Sequence, residues 1–148
     1  MRPNKGFFAH GGSENYNHGP MRCACMDLAT GEIVFDEDYA KNKREGMDKG
    51  TNQDAATISI LSAITVAHRR NVEPIVYSTS PEAINRAKNF LIWAETGEPP
   101  YPAFDREWHP LIMKALKPID FDVKDVQILK WNKKEYGENP LALGWDGK

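Results

Sequence analysis

Val72-Glu73-Pro74-Ile75-Val76-Tyr77-Ser78-Thr79-Ser80-Pro81 is the segment from which the architecture follows. Its apolar, β-branched run entering a Ser-Thr-Ser-Pro turn reads as a strand, and Pro81 suits the first position of a helix capped by Ser80. That helix is predicted from Pro81 to about Thr96, with Ala83 or Ile84, Ala87, Phe90 or Leu91 and Ala94 as its inner stripe, and Gly97 stops it. Before the strand, Ile58, Leu61, Ile64 (or Thr65) and His68 fall at helical spacing, and Ile60 and Val66 widen the apolar face. Asn52 or Asp54 can cap this earlier helix, Asn71 ends it, and it should be buried on most sides. A strand between two helices is the signature of crossover connections, which join parallel strands.

Towards the N-terminus the pattern changes. Gly6 to His10 is short and aromatic and meets Gly11-Gly12-Ser13, which reads as a strand running into a turn. After a polar loop, Glu14 to Pro20, the segments Met21 to Leu28 and Glu32 to Asp36 flank the turn Ala29-Thr30-Gly31 and form an antiparallel hairpin. Ala40 to Gly50 is polar and without periodicity, an exposed loop. Towards the C-terminus, Glu98 to Arg106 is a Pro-aromatic connection, Pro110 to Lys117 a short helix, and Val126 to Trp131 a fifth strand. Asn132 to Lys148 carries three glycines and one proline, which leaves little room for a regular terminal helix. The expected fold is α/β: one five-stranded mixed sheet, an antiparallel meander followed by parallel strands, with helices on its faces.

Composition is consistent with this. A chain of 148 residues with 41% hydrophobic and 27% charged residues fits one domain spanning 1–148, with no need of disulfides or a structural metal. With 21 acidic against 19 basic residues the formal net charge is -2, so any nucleic-acid contact must come from local basic patches. No secretory h-region and no run of about 18 apolar residues is present, which points to a soluble, cytoplasmic protein with no membrane partner. Cys23 and Cys25 lie on one face of a strand and read as small buried side chains in a reducing compartment; a lone C-x-C is weak evidence for zinc.

Four short motifs bear on function. Gly11-Gly12-Ser13 follows the first strand, Thr51-Asn52-Gln53-Asp54-Ala55-Ala56 opens the first helix, Tyr77-Ser78-Thr79-Ser80 ends the fourth strand, and Trp131-Asn132-Lys133 ends the fifth. In this order they resemble the ribonuclease H type 1 family, whose signatures at these places are Thr-Asp-Gly-Ser, Thr-Asn-Asn-x-x-Glu, Asp-Ser and Trp-x-Lys. The resemblance covers nearly the whole chain and implies a ribonuclease H-like fold. It further implies hydrolysis of the RNA strand of an RNA/DNA hybrid by two metal ions, which need several anionic oxygens converging within about 2.0 to 2.6 Å. On this chain, however, the family's first Asp falls on Gly11, or on His10 if one glycine is an insertion. The helix Glu falls on Ala56, the strand-four Asp on Thr79, and the last carboxylate nearest Leu143, with Asp146 a few residues beyond. The family's loop histidine falls near Glu135.

Three functions are therefore expected, in order. The first is a degenerate, non-catalytic ribonuclease H-like module that binds an unknown protein partner or serves a structural role, with no cofactor. The second is binding of an RNA/DNA hybrid or other nucleic acid without cleavage. Its candidate residues are Asn52 and Gln53, where family members contact the hybrid backbone, and the basic set Lys41, Lys43, Arg44, Lys49, Lys130, Lys133 and Lys134. Interspersed Glu45, Asp48, Glu135 and Glu138 make a solvated mixed-charge surface the plainer reading of those lysines. The third is a divergent nuclease using Mg2+ or Mn2+ on rearranged ligands drawn from His10, Glu14, His18 and Asp146. Trp93, Trp108, Trp131, Trp145, Tyr101, Phe104 and Tyr136 could stack on unpaired bases, although core packing accounts for most of them. His68 suits a helix C-terminus, and His109 precedes Pro110 in a turn.

Overall fold

The computed structural model describes residues 2–13, 19–39, 41, 50–98 and 125–141. Several expectations lie outside these residues: the loop residues Glu14 and His18, the cations Lys43, Arg44 and Lys49, the Pro-aromatic segment with Tyr101 and Phe104, Trp108 and His109, the helix at 110–117, and Leu143, Trp145 and Asp146.

The described chain runs β1 (Phe7–Ser13), β2 (Met21–Asp27), β3 (Ile33–Asp38), α1 (Asn52–Arg70), β4 (Ile75–Ser78), α2 (Pro81–Thr96), β5 (Gln127–Lys130) and α3 (Lys133–Tyr136). The five strands form one sheet in the order β3-β2-β1-β4-β5. β1, β2 and β3 pair antiparallel, and β1–β4 and β4–β5 pair parallel. This is the mixed, meander-then-parallel sheet with helices that a ribonuclease H-like fold requires.

Strand alternation divides the core in two. Phe7, Ala9, Cys23, Cys25 and Val76 point to the face covered by α1 and α2. Phe8 and Ala24 point to the other face, where they pack with Leu28, Trp131 and Leu141. Trp131 is 1% exposed; Phe8 meets it edge-on at 5.0 Å, and its indole Nε1 donates to the Gly137 carbonyl at 3.0 Å. α1 is buried without a break from Asp54 to Leu61, which agrees with a helix enclosed on most sides.

Several local expectations need correction. Gly11-Gly12-Ser13 is not a turn but the end of β1, paired with Cys23, Arg22 and Met21 of β2. Glycine punctuates most chains, but in a strand it also permits close backbone approach. Here a Cβ on Gly11 would lie 2.4 Å from the Ala55 carbonyl carbon and oxygen of α1. The N-cap of α1 is neither Asn52 nor Asp54 but Thr51, whose hydroxyl accepts from Asp54 N at 3.0 Å while the Asp54 carboxylate accepts from Thr51 N at 3.0 Å. This reciprocal box frees Asn52 for a longer-range task. β4 is shorter than predicted because Val72 N donates to Ala67 O and is still part of the helix stop, in which Asn71 adopts a left-handed φ of 56°. Ala94 is exposed, so the inner stripe of α2 ends at Phe90 and Leu91; His68 is exposed too, in the basic last turn of α1. After β5 a single helical turn, α3, forms where none was expected, capped by Asn132 Oδ1, which accepts from Lys134 N and Glu135 N. No helix among the described residues is long and apolar enough to cross a membrane.

Candidate nucleic-acid interface

The parallel pairing of β1 with β4, and the packing of α1 on both, bring three chain segments to one cleft of about 180 Å3. β1 contributes His10, Gly11 and Gly12; the first turns of α1 contribute Asn52, Gln53 and Ala56; the end of β4 contributes Ser78, Thr79 and Ser80. Three of the four positions that the family resemblance singled out thus meet at one place: His10 or Gly11, Ala56 and Thr79. Leu143, the fourth, lies outside the described residues.

Each wall is fixed by hydrogen bonds. Asn52 Oδ1 accepts from Ser13 N at 2.6 Å, tying the start of α1 to the end of β1. Ser59 Oγ donates at 2.9 Å to His10 O and lies 2.8 Å from Ala55 O, so one hydroxyl bridges strand and helix where Gly11 lets them touch. On the third wall Ser78 Oγ accepts from Ser80 N, and Ser80 Oγ caps α2 by accepting from Ala83 N. The His10 ring stacks on Phe8 with centroids 6.0 Å apart, and the Asn139 amide nitrogen approaches its ring nitrogens at 3.4 Å.

No carboxylate lines this cleft among the described residues. Asp54, two residues from Ala56, has its oxygens taken by Thr51 N and by Arg86 Nη1 at 3.2 Å. Hard divalent cations take six or more oxygen ligands, carboxylates prominent among them, so these described walls do not fit the pair of metals that the resemblance implies. Nor do the described residues contain elsewhere a cluster of three or more His, Cys, Asp or Glu side chains able to hold a metal ion.

A second cleft, open and about 800 Å3, adjoins the first at Thr79, which borders both. Parallel pairing places Ser78 beside Lys130, so Thr79 faces the chain leaving β5. That chain supplies Lys130, Asn132, Lys133, Lys134 and Tyr136, with Trp131 behind. All three lysines are exposed, and none forms an ion pair with a described residue.

Of the cationic and amide candidates read from the sequence, Asn52 and Gln53 therefore line the first cleft and Lys133 and Lys134 the second, with Lys130. Lys41 is exposed and lines neither. Residues the sequence did not single out include Asn139 beside His10 and Arg86 behind Asp54. An arginine on the buried side of one helix and an aspartate at the start of another was the available signal for the second pair. The two cysteines are inert core: burial pushes the Cys23 and Cys25 thiols up to about 12, with Glu37 and Asp27 respectively adding to the rise.

No protein-family model and no curated protein matches the sequence. Among solved structures the chain is similar to the ribonuclease H1 of the halophilic archaeon Halobacterium salinarum NRC-1, at 16% identity and a TM-score of 0.46 over 86% of this chain and 85% of that one. It is also similar to the N-terminal ribonuclease H domain of a Mycobacterium tuberculosis protein solved as a fusion with maltose-binding protein, at 14% identity and a TM-score of 0.45 over 85% of this chain and 86% of that one.

Proposed function

We propose that this ribonuclease H-like domain binds nucleic acid, an RNA/DNA hybrid in the first instance, and does not hydrolyse it. One observation carries the reading: the cleft where a metal pair would sit is walled by amide, hydroxyl and imidazole groups without a described carboxylate, and it opens onto a cleft with three lysines. Amides and hydroxyls suit sugar and phosphate oxygens, and lysines neutralise phosphate with release of counterions. Without anionic ligands to hold cations, neither the attacking water nor the leaving oxygen of a phosphodiester is stabilised. The arrangement thus supports the second of the three expected functions over the protein-interaction module placed first.

The test is fluorescence anisotropy with a labelled RNA/DNA hybrid at two salt concentrations, with and without Mg2+ or Mn2+, followed by gel analysis of the same samples. Salt-sensitive binding with intact hybrid is expected. Lys133→Gln with Lys134→Gln should flatten the slope of log affinity against log salt by about 0.9 for each phosphate contact removed. Metal-dependent cleavage would establish the divergent nuclease instead. Absence of binding at low salt would return the search to a protein partner.

A further inference from the structure

We propose that the lysine-lined cleft beside Thr79 receives one unpaired nucleotide, so that the preferred ligand is a hybrid with a single-stranded extension rather than a blunt duplex. This rests on the nucleic-acid reading above and names the substrate class of that same surface.

Size is the first argument. Small-molecule sites run from about 300 to 1,000 Å3, and the second cleft, about 800 Å3, holds a nucleotide where the first, about 180 Å3, does not. Chemistry is the second. Lys130, Lys133 and Lys134 offer cations for a phosphate, and no acidic side chain is among the described lining residues. The nearby Glu135 is turned back, its Oε2 lying 3.5 Å from Asn132 Nδ2. Asn132 in turn caps α3, which fixes the two lysines of that turn at the rim.

The aromatic wall is the third argument and the one that selects an unpaired base. Tyr136 is partly exposed on the cleft, with its ring held by edge contacts to Trp131 at 5.2 Å and Tyr77 at 6.0 Å. Trp131 is buried, so it braces Tyr136 and leaves that ring to meet a ligand. Phosphates alone need no aromatic surface. A base stacked within a duplex cannot enter a side cleft, whereas an unpaired base can lie on an aromatic ring whatever its identity.

The experiment compares three labelled probes at one salt concentration: a blunt RNA/DNA hybrid, the same hybrid with a short single-stranded extension at either end, and the single strand alone. Wild type should bind an extended hybrid about 5- to 150-fold more tightly than the blunt one, the range expected for stacking one base on an aromatic side chain. Tyr136→Phe should keep that ratio, because stacking needs the ring and not the hydroxyl. Tyr136→Leu, which retains apolar packing against Trp131, should bring the ratio to about one. Equal affinity of wild type for blunt and extended hybrids would overturn this inference while leaving the nucleic-acid reading intact. So would a folded Tyr136→Leu protein that still prefers the extension. Failure of all three probes to bind at low salt would overturn both.

Discussion

Gly11→Ala is the substitution that tests the geometry most directly. In most strands replacing glycine by alanine stabilises by about 0.5 to 1 kcal/mol, since it restricts the unfolded chain and improves strand propensity. At Gly11 the added Cβ would stand 2.4 Å from Ala55 C and O and 2.6 Å from Ala56 N, all backbone atoms that no rotamer change can move. Returning these to ordinary contact requires β1 and α1 to part by about 1 Å, and overpacking of this kind costs about 1 to 3 kcal/mol. The same parting stretches the 2.9 Å bond from Ser59 Oγ to His10 O, worth about 1 kcal/mol more. Set against the propensity gain, a net loss of about 1 to 3 kcal/mol remains, or roughly 3 to 12 °C in Tm for a chain of this length. Urea denaturation followed by circular dichroism measures it, with the m-value unchanged. Combined with Ser59→Ala the losses should fall short of additivity, because the first change has already strained the bond that the second removes. A Gly11→Ala protein as stable as wild type would refute the close contact of strand and helix. Gly11→Asp carries the same clash with a larger side chain, and it should not confer Mg2+-dependent cleavage.

Two other substitutions probe the surroundings. Asp54→Ala removes the acceptor for Thr51 N and leaves Arg86, whose side chain is only 26% exposed, without its 3.2 Å partner; a loss of about 2 to 3 kcal/mol is expected by urea denaturation, and Asp54→Asn should lose less by keeping the cap acceptor. The thiols of Cys23 and Cys25 should resist an aromatic disulfide reagent at pH 8 in the folded protein and both react once denaturant is added. Their folded pKa of about 12 stands above the ordinary 9.0, so the folded state holds these protons more tightly. Stability should thus be unaffected by them below pH 9 and fall as pH rises from 9 towards 12, by up to about 1.4 kcal/mol per pH unit for each thiol. A Cys23→Ala, Cys25→Ala protein should lose that part of the slope.

The element order was legible because local chemistry and tertiary role agree along most of the chain. Ser80 and Pro81 start α2 and Gly97 stops it as their types suggest, and Asn71 ends α1 in the left-handed conformation asparagine tolerates. Reading failed where one residue type serves two ends. Thr51, Asn52 and Asp54 are all good caps, and only the position of Ser13, 39 residues away, assigns Asn52 to another bond. Gly11-Gly12-Ser13 has the composition of a turn, and the contact with Ala55 that makes it strand is non-local. The first cleft was foreshadowed only through the family motifs, which mark its three walls. Of the second, the sequence offered Lys130, Lys133 and Lys134 as a basic set and Trp131 and Tyr136 as aromatics, but not their meeting with Thr79, since Thr79 and Lys130 are 51 positions apart and meet through the register of β4 with β5.

That same strand alternation separates His10 from Gly11, the two positions on which the resemblance would place the family's first Asp. Position 11 faces α1, where the Ala55 carbonyl leaves no space for a side chain of any kind. Position 10 faces the opposite way, towards Phe8 and Asn139, and borders the cleft with a full side chain. Of the two candidate positions, a carboxylate introduced on β1 could reach the cleft from position 10 and not from 11, and what stands at 10 is an imidazole stacked on Phe8. An imidazole is a fair ligand for softer metals and a poor one for Mg2+, so even carboxylates at Ala56 and Thr79 would leave the β1 corner of a Mg2+ site without a hard anionic donor. The proposed absence of hydrolysis thus draws on two features of this strand: the residue present at position 10 and the backbone packing at position 11. The proposed binding meets neither obstacle, because the amides of Asn52 and Gln53 need only hydrogen-bond a phosphate and the lysines beyond Thr79 only neutralise one.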